Sequence, residues 1–187
     1  MAKRRFHYPS GTAGRLVSTA MFALAFGWLE AVIVVYLRKL IGLEGTLDFL
    51  DPRTQEAMLK TFAGMRSRGE GGHLSPEFLL VEQTREAATI AILLAVGWLA
   101  GGAGTRRAAH AGMNLKRRAA YFFLAFGIWD IAYYAALWVL LRWPPSPRTL
   151  DVLFLIPFPW VAQVWIPVAI SMVFIAGALW ALGGDER

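Results

Sequence analysis

The sequence has 187 residues, of which 57% are hydrophobic and 17% charged, and its formal net charge is +6. Soluble domains rarely have so apolar a composition, so the chain is typical of a membrane protein, with little left for a separate soluble domain. The chain contains no cysteine, which excludes disulfides, thiolate catalysis and iron–sulfur clusters. The basic residues flank apolar segments, so they are interpreted as topology signals and not as a nucleic-acid-binding surface.

Four apolar segments are each long enough to cross a hydrocarbon core of about 30 Å as a helix. They are residues 16–40, 78–100, 119–141 and 160–182. The predicted fold is an all-α integral membrane protein, a single membrane domain over residues 1–187 with four transmembrane helices. Because positive charge precedes the first span and separates the second from the third, both termini are predicted to be cytoplasmic. All three histidines lie outside the four segments, which excludes a bis-histidine haem within the bilayer.

An internal repeat relates the two halves of the chain. Leu-Ala-Phe-Gly at 24–27 stands three positions before Glu30, and the same four residues at 124–127 stand three positions before Asp130. This match predicts two tandem helix pairs whose first helices each carry a carboxylate. The two repeats are about residues 16–101 and 119–184.

The second helices of the two pairs match more weakly, with Val81 and Gln83 corresponding to Val161 and Gln163. Because each pair crosses the membrane an even number of times, both copies are predicted to enter it in the same orientation, as parallel repeats do. A pseudo-two-fold bundle is expected, with its acid-bearing helices facing each other.

The loop between the first two spans contains a pattern that is typical of a helix. Asp51 and Pro52 form a good helix start, and the apolar residues that follow recur at helical spacing up to Met65. This predicts an outward interfacial helix in the first loop; a short helix packed over the bundle mouth is the alternative.

The apolar, proline-bounded stretch 150–160 is too short to span the membrane, and is predicted to dip into the outer leaflet or cap the bundle. Pro167, inside the fourth segment, predicts a kink that frees the carbonyl of Gln163.

Five ionisable residues fall within the spans, where such residues are costly and normally face the bundle interior or an aqueous cavity. At about 1.5 Å per residue, Glu86 lies about 12 Å from the outward end of its span, Glu30 about 15 Å, Asp130 about 16 Å and Glu82 about 6 Å. These depths place the carboxylates near one level, beside Arg85.

Helical spacing predicts which side chains share this level. Glu82, Arg85, Glu86 and Thr89 fall on one face of the second span. The predicted site comprises Glu30, Glu82, Arg85, Glu86, Asp130, Tyr133, Tyr134 and Gln163. Aromatic walls are expected from Trp28, Trp129, Trp160 or Trp165.

Four carboxylates around one guanidinium give a formal charge of −3, which protons or a cation must balance in a low dielectric. Glu30, Glu86 and Asp130 would form an oxygen-rich set for a hard divalent cation. Aromatic walls with acids would instead suit an organic cation. Protonated acids that are hydrogen-bonded to tyrosines would require neither a metal ion nor an organic cation.

The leading functional hypothesis is that the cluster binds a cation or protonatable small ligand from the external side. Transport, catalysis on a lipid-phase substrate and sensing are all compatible with it. A second hypothesis is an accessory subunit of a larger membrane complex, in which the acids hold helices together. A third is a small proton-coupled organic-cation transporter. The expected partners are the lipid bilayer, a membrane-complex partner or further copies of the chain.

The chain also resembles a family of uncharacterised bacterial membrane proteins. The likeness rests on Gly-Ile-Trp-Asp-Ile-Ala-Tyr-Tyr at 127–134, Arg-Trp-Pro-Pro-Ser at 142–146 and the stretch 150–160, with shorter pieces at 28–30 and 85–88. The resemblance implies a four-helix, multi-pass protein of the bacterial inner membrane. It implies no activity.

Overall fold

The computed structural model describes residues 11–40, 76–102, 111–157 and 160–184. Within them are the helices α1 (Thr12–Leu40), α2 (Pro76–Gly102), α3 (Ala111–Leu141) and α4 (Trp165–Gly184), with strands β1 (Leu150–Phe154) and β2 (Trp160–Gln163) between the last two. Each helix contains a segment long and apolar enough to cross a membrane. The prediction of a mostly helical membrane protein with four spans is confirmed. The predicted interfacial helix after Asp51 lies outside the described residues.

Helix α3 is the central helix among the described elements. Half of its most apolar segment is buried, against 22% to 28% for the other three helices. It packs along α1, α2 and α4, whereas α1 and α2 contact each other only briefly. The residues of α3 therefore contribute to every major helix interface of the bundle.

The repeated glycine lies at two of these interfaces. A Cβ added to Gly27 would lie 2.5 Å from the carbonyl oxygen of Trp129, and one added to Gly127 would lie 2.6 Å from that of Ser171. Small residues let helix backbones approach closely in membranes, where packing drives association. Gly27 thus brings α1 onto α3, and Gly127 brings α3 onto α4.

The segment between α3 and α4 is a β-hairpin, so the all-α prediction is wrong here. Strands β1 and β2 pair antiparallel, with Leu150 opposite Gln163 and a shift in register between Val152 and Phe154. Valine, phenylalanine and tryptophan favour strands, and the prolines around the hairpin disfavour a continuous helix. Pairing the strands satisfies backbone polar groups that an apolar environment would otherwise leave unbonded.

The fourth transmembrane helix begins at Trp165, five residues later than predicted. Its start is fixed by backbone hydrogen bonds from Val164 to Thr149 and from Trp165 to Pro147, at 3.0 and 2.9 Å. Pro167 therefore lies in the first turn, where a backbone N–H has no intrahelical partner in any case. The predicted kink is wrong, and Gln163 belongs to a strand.

Candidate functional site

The four helices and the hairpin enclose a cavity of about 480 Å³. All the predicted site residues except Gln163 line it, although they come from three different helices. The polar side chains of the wall are Glu30, Glu82, Arg85, Glu86, Thr89, Asp130, Tyr133, Tyr134 and Ser171. The residues that depth and helical spacing grouped together thus lie around one cavity, with the exception of Gln163.

Arg85 of α2 bonds two of the carboxylates. Its Nε donates to Glu82 at 3.0 Å, one turn away on the same helix, and its terminal nitrogens pair with Glu82 and with Glu30 of α1. The hydroxyl of Thr89 donates to the other oxygen of Glu30 at 3.0 Å. Glu30 is buried and fully engaged by α2, and the single positive charge of Arg85 is shared between two acids.

Glu86 joins α2 to the hairpin. The backbone N–H of Leu155, just after β1, donates to both of its carboxylate oxygens, at 2.8 and 3.0 Å. The side chain is buried. Among the described residues it has no cationic partner, because Arg85 one position earlier is bonded to Glu30 and Glu82.

Asp130 joins α3 to α4. The hydroxyl of Ser171 donates to its Oδ2 at 2.8 Å, and the residue is only 8% exposed. Within the described ranges Asp130, like Glu86, has no cationic partner. Sequence reasoning did not name Ser171, although a lone hydroxyl in the otherwise apolar α4 was a signal that could have identified it.

The remaining predicted polar residues have different positions. The hydroxyl of Tyr134 donates to Asp151 of β1 at 2.8 Å, and Tyr133 lines the cavity with its ring stacked on Trp129. Gln163 lies away from the cavity and accepts a hydrogen bond from the indole of Trp165 at 2.7 Å. Its inclusion in the predicted site is wrong because the strand that carries it replaces the expected kinked helix.

Aromatic rings form much of the apolar wall. Trp129 and Trp160 line the cavity as predicted, whereas Trp28 and Trp165 do not and are about half exposed. The other rings on the wall are those of Phe122, Phe123, Phe126, Phe154 and Phe174. A ligand in the cavity would therefore contact both carboxylates and aromatic faces.

The predicted hard-cation set is not gathered. In the part of the chain that the structure describes, no three histidine, aspartate or glutamate side chains come together so that they could hold a metal ion. Glu30, Glu86 and Asp130 are each bonded to a different partner, on α2, the hairpin and α4 respectively.

No family model, no curated protein and no solved structure matches the chain.

Proposed function

We propose that the cavity binds a small organic cation with an apolar body, which enters from the external side of a bacterial inner membrane. One observation carries this proposal: two buried carboxylates, Glu86 and Asp130, lie on an aromatic wall without a cationic partner among the described residues. The bound cation would supply the missing positive charge.

Charge is the first support for this function. The described residues of the wall include four carboxylates and one guanidinium, a formal charge of −3 if all are ionised. An unpaired charge in a low dielectric costs several kcal/mol, so buried acids require a proton or a counter-charge. Arg85 is bonded to Glu30 and Glu82, which leaves Glu86 and Asp130 to interact with a ligand.

Size and wall chemistry are the second support. A volume of about 480 Å³ falls within the range of about 300–1,000 Å³ that is typical of small-molecule sites. Aromatic faces attract cations within about 6 Å of the ring centre, and they also accept the apolar part of an amine. Aromatic rings are poor ligands for hard metal ions, so this wall favours an organic cation.

Substitution of Asp130 tests the proposal. Isothermal titration calorimetry of the purified protein with dimethyl(phenylbutyl)amine, a protonated amine with an aromatic tail, should show saturable binding. Asp130→Asn should weaken binding by at least about tenfold, because a desolvated ammonium–carboxylate contact is worth roughly 1.5 kcal/mol or more. Asp151→Asn is the matched control: this acid lies outside the cavity, and an amide oxygen can still accept from Tyr134.

Two outcomes would contradict the proposal. One is a wild-type protein that binds no amine; the other is an Asp130→Asn variant whose affinity equals that of the wild type. Equal losses in Asp130→Asn and Asp151→Asn would also count against a specific contact, because they would indicate general damage to the fold.

The tandem repeat is part of the same proposal. In each helix pair a hydroxyl of the second helix donates to the acid of the first, Thr89 to Glu30 and Ser171 to Asp130. This parallel supports two copies in the same orientation, and the basic residues before α1 and between α2 and α3 support cytoplasmic termini. The copies would have diverged, since Ala162 of the hairpin and Trp165 of α4 stand where α2 carries Glu82 and Arg85.

A second role, in which the acids hold the helices together within a larger membrane complex, is favoured by one observation. Each buried acid joins two different elements, α1 with α2, α2 with the hairpin, and α3 with α4. This role predicts that Asp130→Asn lowers the thermal unfolding midpoint in detergent while the wild-type protein binds no amine.

A further inference from the structure

The cavity lies between two helices that do not pack along each other. In the described part of the chain, α2 and α4 each pack along α3, but they make at most marginal contact with one another. Both helices nevertheless line the cavity, α2 with Glu86 and Thr89 and α4 with Ile170 and Phe174. The cavity therefore occupies a cleft between α2 and α4, with α3 as its floor.

This cleft reaches an exposed surface at the depth of the membrane interior. Phe123 lines the cavity, yet its exposed fraction is 38%. It belongs to the span Leu115–Leu141 of α3, about 12 Å from the nearer end. On the α2 side, Ile92 follows Arg85 by two turns on the same helix face and is 40% exposed. Surfaces at this depth face lipid hydrocarbon and not water, so the floor of the cleft continues onto a lipid-facing surface.

The hairpin lines the cleft toward the C-terminal end of α3. Residues 152–155 and Trp160 belong to the cavity wall, and the backbone N–H of Leu155 donates to Glu86 of α2. Phe123 lies toward the opposite end, nearer the N-terminus of α3. An apolar chain would therefore leave the cavity at that opposite end, past Phe123, where the floor is exposed.

We infer that the ligand of this cavity is a long-chain amphiphilic amine dissolved in the membrane, whose ammonium group binds at Asp130 and whose alkyl chain passes Phe123 into the bilayer. The inference rests on the proposed function, in which the carboxylates bind the ammonium group. Phe123 precedes Asp130 by two helical turns, about 10 Å along α3. A saturated chain advances about 1.2 Å per bond, so one longer than about nine carbons would extend past Phe123.

The environment of the chain supports this ligand class. An alkyl chain that already lies in the bilayer remains in hydrocarbon when its head group binds, so no apolar surface has to be transferred into water. The aromatic rings of Phe123 and Phe174, whose centroids are 4.8 Å apart, would contact the part of the chain that is inside the cleft.

A photoreactive amphiphile tests where the chain lies. The probe is a dimethylamine with an alkyl chain of about twelve carbons, long enough to pass Phe123, and a diazirine near its free end. After illumination of proteoliposomes of the full chain, peptide mass spectrometry should place adducts on α3 around Phe123 and on α4 around Phe174. An excess of dimethyl(phenylbutyl)amine should remove these adducts, because both amines compete for Asp130.

Two controls distinguish this site from general labelling of the lipid-facing surface. The same probe with a hydroxyl group in place of the amine should give no adducts that the short amine removes. With the probe near its dissociation constant, Asp130→Asn should reduce the competed adducts about fivefold, which corresponds to about tenfold weaker binding. Asp151→Asn, outside the cavity, should leave them unchanged.

The outcomes separate the inference from the proposed function. If calorimetry shows that the short amine binds the wild type, but competed adducts are absent or lie on the hairpin, the inference is overturned and the proposed function stands. Competed adducts from the hydroxyl probe would also overturn it. If the short amine does not bind, both ideas fail. Competition on the wild type needs no variant, so it decides the matter even if Asp130→Asn does not fold.

Discussion

Arg85 is the residue on which the charge arrangement of the cavity depends. It is the one cation among the described residues that line the cavity, and it bonds Glu82 on its own helix and Glu30 on α1. Its side chain is only 22% exposed, so solvent compensates the two acids weakly. Removal of the guanidinium would leave a buried Glu30 with Thr89 as its remaining partner.

We therefore expect Arg85→Met to destabilise the protein by about 3 kcal/mol, the lower end for removing one partner of a buried ion pair. The measurement is the thermal unfolding midpoint in detergent. Arg85→Met/Glu30→Gln should recover much of the loss, because the amide removes the uncompensated charge and can still accept from Thr89. Thr84→Ala, an exposed hydroxyl on the same helix, is the control and should leave the midpoint unchanged. A double variant no more stable than Arg85→Met would contradict this account.

The close approach of α1 to α3 depends on the absence of a side chain at Gly27. An alanine there would place its Cβ 2.5 Å from the carbonyl oxygen of Trp129 and 2.9 Å from the Cβ of Ala132. Since backbone has to move, Gly27→Ala should cost roughly 1–3 kcal/mol. Gly127→Ala should behave in the same way at the interface between α3 and α4.

Gly177 provides the matched control for both substitutions. It also lies within a transmembrane helix, but a Cβ added there meets nothing within 4 Å. Gly177→Ala should leave the unfolding midpoint unchanged or raise it, because alanine favours helix over glycine by up to about 1 kcal/mol. If the three alanine variants change the unfolding midpoint equally, the repeated glycines are not required for close helix packing.

At the scale of the elements, the sequence signals were sufficient to predict the four helices but not the hairpin. Four long apolar runs predicted four helices, because a membrane requires a minimum length and internal hydrogen bonding. The fourth was extended to Trp160 because hydropathy does not distinguish an apolar strand from an apolar helix. The hairpin depends on pairing between β1 and β2, and pairing between separate segments is not visible in a hydropathy pattern.

The site likewise has features that follow from local helical spacing and features that depend on tertiary packing. Spacing placed Glu82, Arg85 and Glu86 on one helix face, since helical periodicity is local. The partners of Glu86 and Asp130 are a backbone N–H of Leu155 and the hydroxyl of Ser171, which depend on how the hairpin and α4 pack. Such contacts are determined by tertiary packing, so they cannot be predicted from the sequence pattern of one segment.

At the scale of the whole molecule, the basic residues Arg117 and Arg118 and the β-hairpin lie toward opposite ends of α3. Arg117 donates to the carbonyl of Gly101 at 2.8 Å, and Arg118 lies over the ring of Trp98. The hairpin lies toward the other end of the helix, since Leu141 is roughly 35 Å from Arg118 at 1.5 Å per residue, and Asp130 lies about midway between them. Arginine near a membrane surface favours the cytoplasmic side. We therefore expect the hairpin end of the cavity to face the external side.

Single cysteines can test this orientation, because the natural sequence has none. Ser67→Cys lies between the first two spans and Ala109→Cys between the second and third, both outside the described residues. With a membrane-impermeant maleimide, Ser67→Cys should react in bacterial spheroplasts, and Ala109→Cys only after permeabilisation. The reverse pattern would place the cavity on the cytoplasmic side. The proposal of amine binding would then stand, but the proposal of entry from the external side would fail, because the hairpin end of the cavity would face the cell interior.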